Sequence, residues 1–196
     1  MSKIFKPKIV IAMLWLATAV LVAFGASKLG SIAEAKYERT RERPDPVSKL
    51  LEQGRYDEAI QVRLDENKEG VRDADTFDGI ALIYLERAKK DLADRQMWAN
   101  DTSVYFDKAT AAAPKNPFIL ESAMDGYNRL GDYKDNGCPE YQKAIGFGEA
   151  ALALLQGDTI TVDGSARPYP TQMIKEGIEP PLKRIRAKVE AWCMKP

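Results

Sequence analysis

Residues 50–60 read LLEQGRYDEAI, and how this stretch is taken decides the fold. Leu50 and Leu51 close one apolar helical run, Gly54 breaks it, and Tyr56 and Ala59 start another at the spacing of a single helix face. A helix that ends on glycine and restarts two residues later predicts two helices folded back on each other. Helical periodicity continues through the rest of the chain, and strand-like alternation is confined to TITVDG near residues 159–164. The expected fold class is therefore all-α.

Similar fragments recur. NRLGDY (128–133) places Gly131 and Tyr133 at the same offset as Gly54 and Tyr56, with Ala144 and Ala151 as small residues further on. TFDGIALIYLERA (76–88) sets Phe77, Ile80, Ala81 and Tyr84 on one helical stripe, and YFDKATAAAPKNP (105–117) carries Ala109 five positions before Pro114. These stretches resemble the tetratricopeptide repeat (TPR), a helix–turn–helix unit of about 34 residues. The resemblance implies that Phe77, Ile80, Ala81 and Tyr84 occupy the first helix of a unit. It also implies that Gly54 and Gly131 are inter-helix turns, that Tyr56, Tyr133, Ala59, Ala109, Ala144 and Ala151 are packing positions, and that Pro114 closes a unit. The expectation is two and a half to three helix pairs over residues 45–156. About nine extra residues lie in KKDLADRQMWANDTS and about eight in KDNGCPEYQK, relative to that unit length. A generic irregular helical bundle is the alternative. The physics is common to both: antiparallel helices approach closely where small residues meet, and each pair leaves an apolar face for its neighbour.

After the repeats, residues 157–178 read as an irregular loop rich in Gly, Pro and Asp. Residues 179–196 then read as an amphipathic capping helix with Leu182, Ile185, Val189 and Trp192 on one face.

The N-terminus is different in kind. Lys3, Lys6 and Lys8 (segment 1–8) precede a run from residue 9 to 27 in which Thr18 and Ser27 are the conventional polar side chains. At 1.5 Å rise such a run spans close to the hydrocarbon thickness of roughly 30 Å, which predicts a transmembrane signal anchor. A cleaved secretory signal is the alternative, with small residues around Gly25 and Ser27. Charge orients an anchor with its N-terminus in the cytoplasm and the domain outside, in the periplasm or its equivalent. Ala19 and Ala23 form a small-residue groove suited to a partner helix in the membrane. Residues 28–44 form a charged linker ended by Pro44 and Pro46.

Composition removes several functions. The chain has 196 residues and no histidine, which excludes Ser-His-Asp and Cys-His catalysis and imidazole metal ligation. Residues 1–44 hold eight Lys/Arg and three Asp/Glu, leaving 21 basic against 26 acidic residues beyond them. That acidic remainder argues against a nucleic-acid surface. IGFGEAA (145–151) lacks the preceding strand of a dinucleotide fingerprint, so its glycines read as close-packing positions. DADTFDG (73–79) departs from a calcium loop and reads as a helix start capped by Asp73 or Asp75. NDT (100–102) is a glycosylation acceptor or a loop. No catalytic, cofactor or metal constellation is visible.

Cys138 and Cys193 are the two cysteines, the right number for one bridge in an exported domain, or two free thiols in a reducing one. Trp98, in the first extra segment, is a candidate contact for a protein partner. The expected function is non-enzymatic: a membrane-anchored interaction module or scaffold of an envelope complex, with protein partners at or in the membrane and no small-molecule substrate. The alternative is a constitutive accessory subunit held mainly through its transmembrane helix.

Overall fold

A computed structural model describes residues 45–68, 70–162 and 168–194. Among them no helix is long and apolar enough to cross a membrane. The apolar segment 9–27, with Ala19 and Ala23, and the linker 28–44 lie outside the described residues.

The described residues form seven helices: α1 (Pro46–Glu52), α2 (Tyr56–Glu66), α3 (Asp73–Lys90), α4 (Arg95–Ala112), α5 (Pro117–Tyr133), α6 (Cys138–Leu154) and α7 (Thr171–Trp192). A two-residue antiparallel ribbon, β1 (Thr159–Ile160) with β2 (Tyr169–Pro170), leads into α7. Apart from this ribbon, the regular structure of the described residues is all helical.

Local sequence explains the breaks. Gly54 adopts φ +72°, the left-handed region glycine enters without a Cβ penalty. Arg55 N donates to Leu50 O and Gly54 N to Leu51 O, so the end of α1 is closed by the paired bonds of a glycine-type C-cap. Between α4 and α5, PKNP supplies a stop and a start. Pro114 sits in the turn, the Asn116 side chain accepts from Phe118 N and Ile119 N, and Pro117 takes the first helical position.

Consecutive helices pack as hairpins, α1 with α2, α3 with α4, and α5 with α6, and α7 packs on α6. The leading helices also meet, α3 on α5 and α5 on α7. One core runs from α3 to α7 and holds Phe106, Met124, Tyr127, Tyr141 and Ile178. A second, small cluster of Val47, Ala59 and Ile83 holds the α1–α2 pair onto α3. Ala59, Ile80, Ala81, Ala109, Ala144 and Ala151 are all fully buried, as close helix crossings need.

Several expectations are corrected. Gly131 is not a turn: α5 runs on to Tyr133, and Gly131 lies inside it where a Cβ would come 2.4 Å from the Tyr141 ring. The glycine allows a neighbouring ring to approach, and the turn falls after residue 133. The extra segments are mostly helical. Their residues fall in the end of α3, the first half of α4 and the start of α6, with connections of only four residues at 91–94 and 134–137. NDT consequently lies within α4, its Thr102 hydroxyl buried and donating to Trp98 O. Helix α3 starts at Asp73, but its N-cap position is Arg72, and neither Asp73 nor Asp75 occupies it.

The irregular loop also ends earlier than expected. Helix α7 begins at Thr171, eight residues before position 179, and continues through Pro180 and Pro181. Two prolines inside a helix remove two backbone donors. The helix survives because the apolar stripe Thr171, Ile174, Ile178, Leu182, Ile185, Val189 is buried on both sides of them, while Pro180 itself faces solvent. Trp192 does not extend that stripe: it is 63% exposed and meets Tyr141 edge-on. Finally, Cys138 at the start of α6 is bonded to Cys193 just past α7, with 5.7 Å between their Cα atoms.

Candidate interaction surface

Helices α2 and α4 both pack on α3 but make little contact with each other. The seam between them exposes a row of half-buried aromatic side chains. Phe77 and Tyr84, seven residues apart on α3, meet Trp98 and Tyr105, seven apart on α4. Tyr84 stacks on Trp98 with centroids 6.0 Å apart and on Tyr105 at 5.5 Å, and Tyr105 meets Phe77 at 6.2 Å. The seven-residue repeat in both helices aligns the rings.

Cations seat on this row. The Arg87 guanidinium lies 3.5 Å from the Trp98 ring centre and 5.4 Å from that of Tyr56 in α2, and it pairs with Asp57 at 3.1 Å. Lys108 Nζ lies 4.6 Å from the Tyr105 centre and 5.8 Å from that of Phe77. Trp98 Nε1 donates to Asp91 Oδ2 at 3.0 Å, and this bond holds the Asp91 carboxyl below its usual range. Trp98 sits in the first turn of α4, and its bond to Asp91 ties that turn to the α3–α4 connection. The Tyr84 phenol is pushed up, first by burial and then by the charges of Tyr105, Asp101 and Asp57.

A second polar centre links α4, α5 and α6. Tyr127 Oη donates to Asp107 Oδ1 at 2.6 Å, and Lys143 Nζ reaches the same carboxylate at 3.1 Å. At the far end Tyr141 Oη donates to Asp132 at 2.6 Å, and Lys188 of α7 bonds Asp132 and Asn128. Burial and the adjoining carboxylates push both phenols well above their usual range. These groups are tied into helix–helix links. Tyr133, beside them, carries the Arg95 guanidinium 5.2 Å from its ring centre.

Asp78 on α3 escapes the sequence reading. It lies against α5, where burial raises its carboxyl to about 6, opposed in part by a hydrogen bond with Ser122 and reinforced by Asp75. Its Oδ1 is buried without a hydrogen-bond partner among the described residues. The signal is absent from the sequence because the desolvation comes from a helix some forty residues away. Tyr105, Arg87 and Lys108 were missed for the same reason, although the 98–105 spacing was readable. Of the predicted partner contacts, Trp98 falls on the aromatic row, and Ala19 and Ala23 lie outside the described residues. Among the described residues no group of three or more Cys, Asp or Glu is placed to hold a metal ion. Glycines of IGFGEAA split: a Cβ on Gly148 would crowd Met124, whereas one on Gly146 would meet open space.

No family model, curated protein or solved structure matches this chain.

Proposed function

We propose that the chain is a membrane-anchored helical-repeat module of the TPR type that recruits or steadies a protein complex at the outer face of a cytoplasmic membrane. The observation that carries this reading is the packing order. Hairpins follow one another while their leading helices α3, α5 and α7 stack in series, as expected of a short array capped by α7. The half-exposed aromatic row supports an interaction role, since aromatic side chains dominate the energetics of protein interfaces. The basic and then apolar sequence over residues 1–27 supports the anchor, the cytoplasmic N-terminus and a periplasmic domain. On this reading the protein is not an enzyme, takes no cofactor, and binds protein partners at or in the membrane.

The test is photo-crosslinking of the full chain in native membranes from a reactive residue placed at Val104, which is 49% exposed. The companion variant replaces residues 9–27 by an unrelated transmembrane helix. A defined cross-linked partner retained by both chains is expected. Loss of the partner on replacing the helix overturns the module in favour of an accessory subunit held through its membrane segment.

A further inference from the structure

The residues that join α5 to α6 read KDNG, 134–137, and the last of them has to be glycine. A Cβ on Gly137 would overlap the Gly131 carbonyl oxygen, so the main chain at the head of α6 lies directly on the last turn of α5. Lys134 N donates to Leu130 O on one side of the connection, and Cys138 is bonded to Cys193 on the other. Between these anchors Asn136 is exposed, and no hydrogen bond holds its amide among the described residues. Gly137 N donates to no acceptor there either. The packing that demands a glycine therefore sets a free side-chain amide next to a backbone nitrogen that no Cβ shields.

The other asparagines are protected. Asn100 and Asn128 lie inside α4 and α5, where the next backbone nitrogen is a helix donor. Asn128 Oδ1 also accepts from Lys188 Nζ. Asn67 Nδ2 donates to Asp73 Oδ1, and its Oδ1 accepts from Arg72 N. Asn116 is followed by Pro117, which has no N–H. Asn136 alone combines an exposed amide, an untethered side chain and a glycine nitrogen after it.

The geometry points to Asn136 as a site of spontaneous covalent change, in which its side-chain amide gives way to a carboxylate. Gly137 N loses its proton to solvent and attacks Asn136 Cγ. The new C–N bond closes a five-membered imide, the Cγ–Nδ2 bond breaks, and Nδ2 takes up a proton and leaves as ammonia. Water then opens the ring. Attack at Cγ gives aspartate; attack at the main-chain carbonyl carbon gives isoaspartate and lengthens the backbone by one methylene. Both products add a negative charge beside Asp135, on the wall of a cleft that Asp132, Tyr141 and Trp192 also line. The aspartate form keeps the main chain as it is and sets its carboxylate just before the positive end of α6. The isoaspartate form pushes Gly137 against Gly131, where there is no room. The change requires no partner and is independent of the interaction role.

The test takes the full-length chain in zwitterionic nanodiscs, incubates it in mildly alkaline and in mildly acidic buffer, and follows it by peptide mapping with mass spectrometry. In the alkaline buffer the peptide holding Asn136 is expected to gain the mass of an NH-to-O exchange, to completion before any other asparagine is half converted. Conversion should slow in the acidic buffer, where less of the Gly137 amide is deprotonated. Electron-transfer fragmentation tells aspartate from isoaspartate. The N136Q chain, whose side chain would have to close a six-membered ring, should stay unchanged over the same interval. Three results overturn the assignment: an N136Q chain that gains the mass at the same rate, conversion that falls first on Asn67, Asn100 or Asn128, or a folded chain whose Asn136 survives the interval in which the reduced, urea-unfolded chain converts.

Discussion

The guanidinium carbon of Arg87 lies 3.5 Å from the centre of the Trp98 ring, across the turn that joins α3 to α4. That single stack gathers Tyr56 of α2, Asp57, Tyr84 and Asp91 around one indole. Residues that a sequence reader would divide between an exposed loop and a helix belong to one structural knot.

Substituting Trp98→Ala removes the cation–aromatic contact, the Tyr84 stack and the bond to Asp91 together. The expected cost is about 2–3 kcal/mol, read from urea unfolding. A loss below about 0.5 kcal/mol would mean that the indole hangs free of the domain.

Asp78 makes stability depend on pH. Its folded carboxyl is raised from 3.8 to about 6, so the folded chain holds this proton more tightly than the unfolded one. The stabilisation is complete below pH 4 and is lost as pH rises through about 6, a swing of about 3 kcal/mol at about 1.36 kcal/mol per pH unit. Asp78→Asn should remove most of that slope and stabilise the domain at pH 7. Parallel pH–stability curves for the two proteins would refute this role for Asp78.

Glycine substitutions separate close approach from open surface. A Cβ at Gly131 would sit 2.4 Å from Tyr141, so Gly131→Ala should cost about 1–3 kcal/mol. Gly146 lies within α6 with nothing near its missing Cβ, so Gly146→Ala should stabilise by about 0.5–1 kcal/mol. Thermal melts of the two variants should move in opposite directions.

Replacing Cys138 and Cys193 by serine opens a loop of 55 residues. The chain-entropy account predicts a loss of about 4 kcal/mol. Denaturant midpoints with and without reductant check it, and coincident midpoints would show that the bond contributes nothing to stability.

The parts of the fold legible in the sequence are those decided within a few residues. Gly54 announces a left-handed turn because glycine, an apolar run before it and an aromatic after it act locally. Asn116–Pro117 announces a helix start for the same reason. Gly131 looked identical and is a different device, because whether a glycine ends a helix or admits a ring depends on Tyr141, ten residues on and in another helix. Pro180 and Pro181 read as a helix start because proline is a strong local stop; burial of Ile174 and Ile178 before them overrides it. The aromatic row was half legible. Phe77 and Tyr84 follow from periodicity, whereas the meeting of Tyr84 with Tyr105, and the seating of Arg87 and Lys108, follow from how two long helices cross.

The two ends of the helical bundle are secured unequally. At one end a covalent tie joins the start of α6 to the end of α7; at the other, α1 and α2 are held by a small apolar cluster around Val47, Ala59 and Ile83. Local opening starts where an element is held by the fewest buried contacts. Pro46–Glu66 is thus expected to open first, and its amides should exchange with solvent before those near the disulfide.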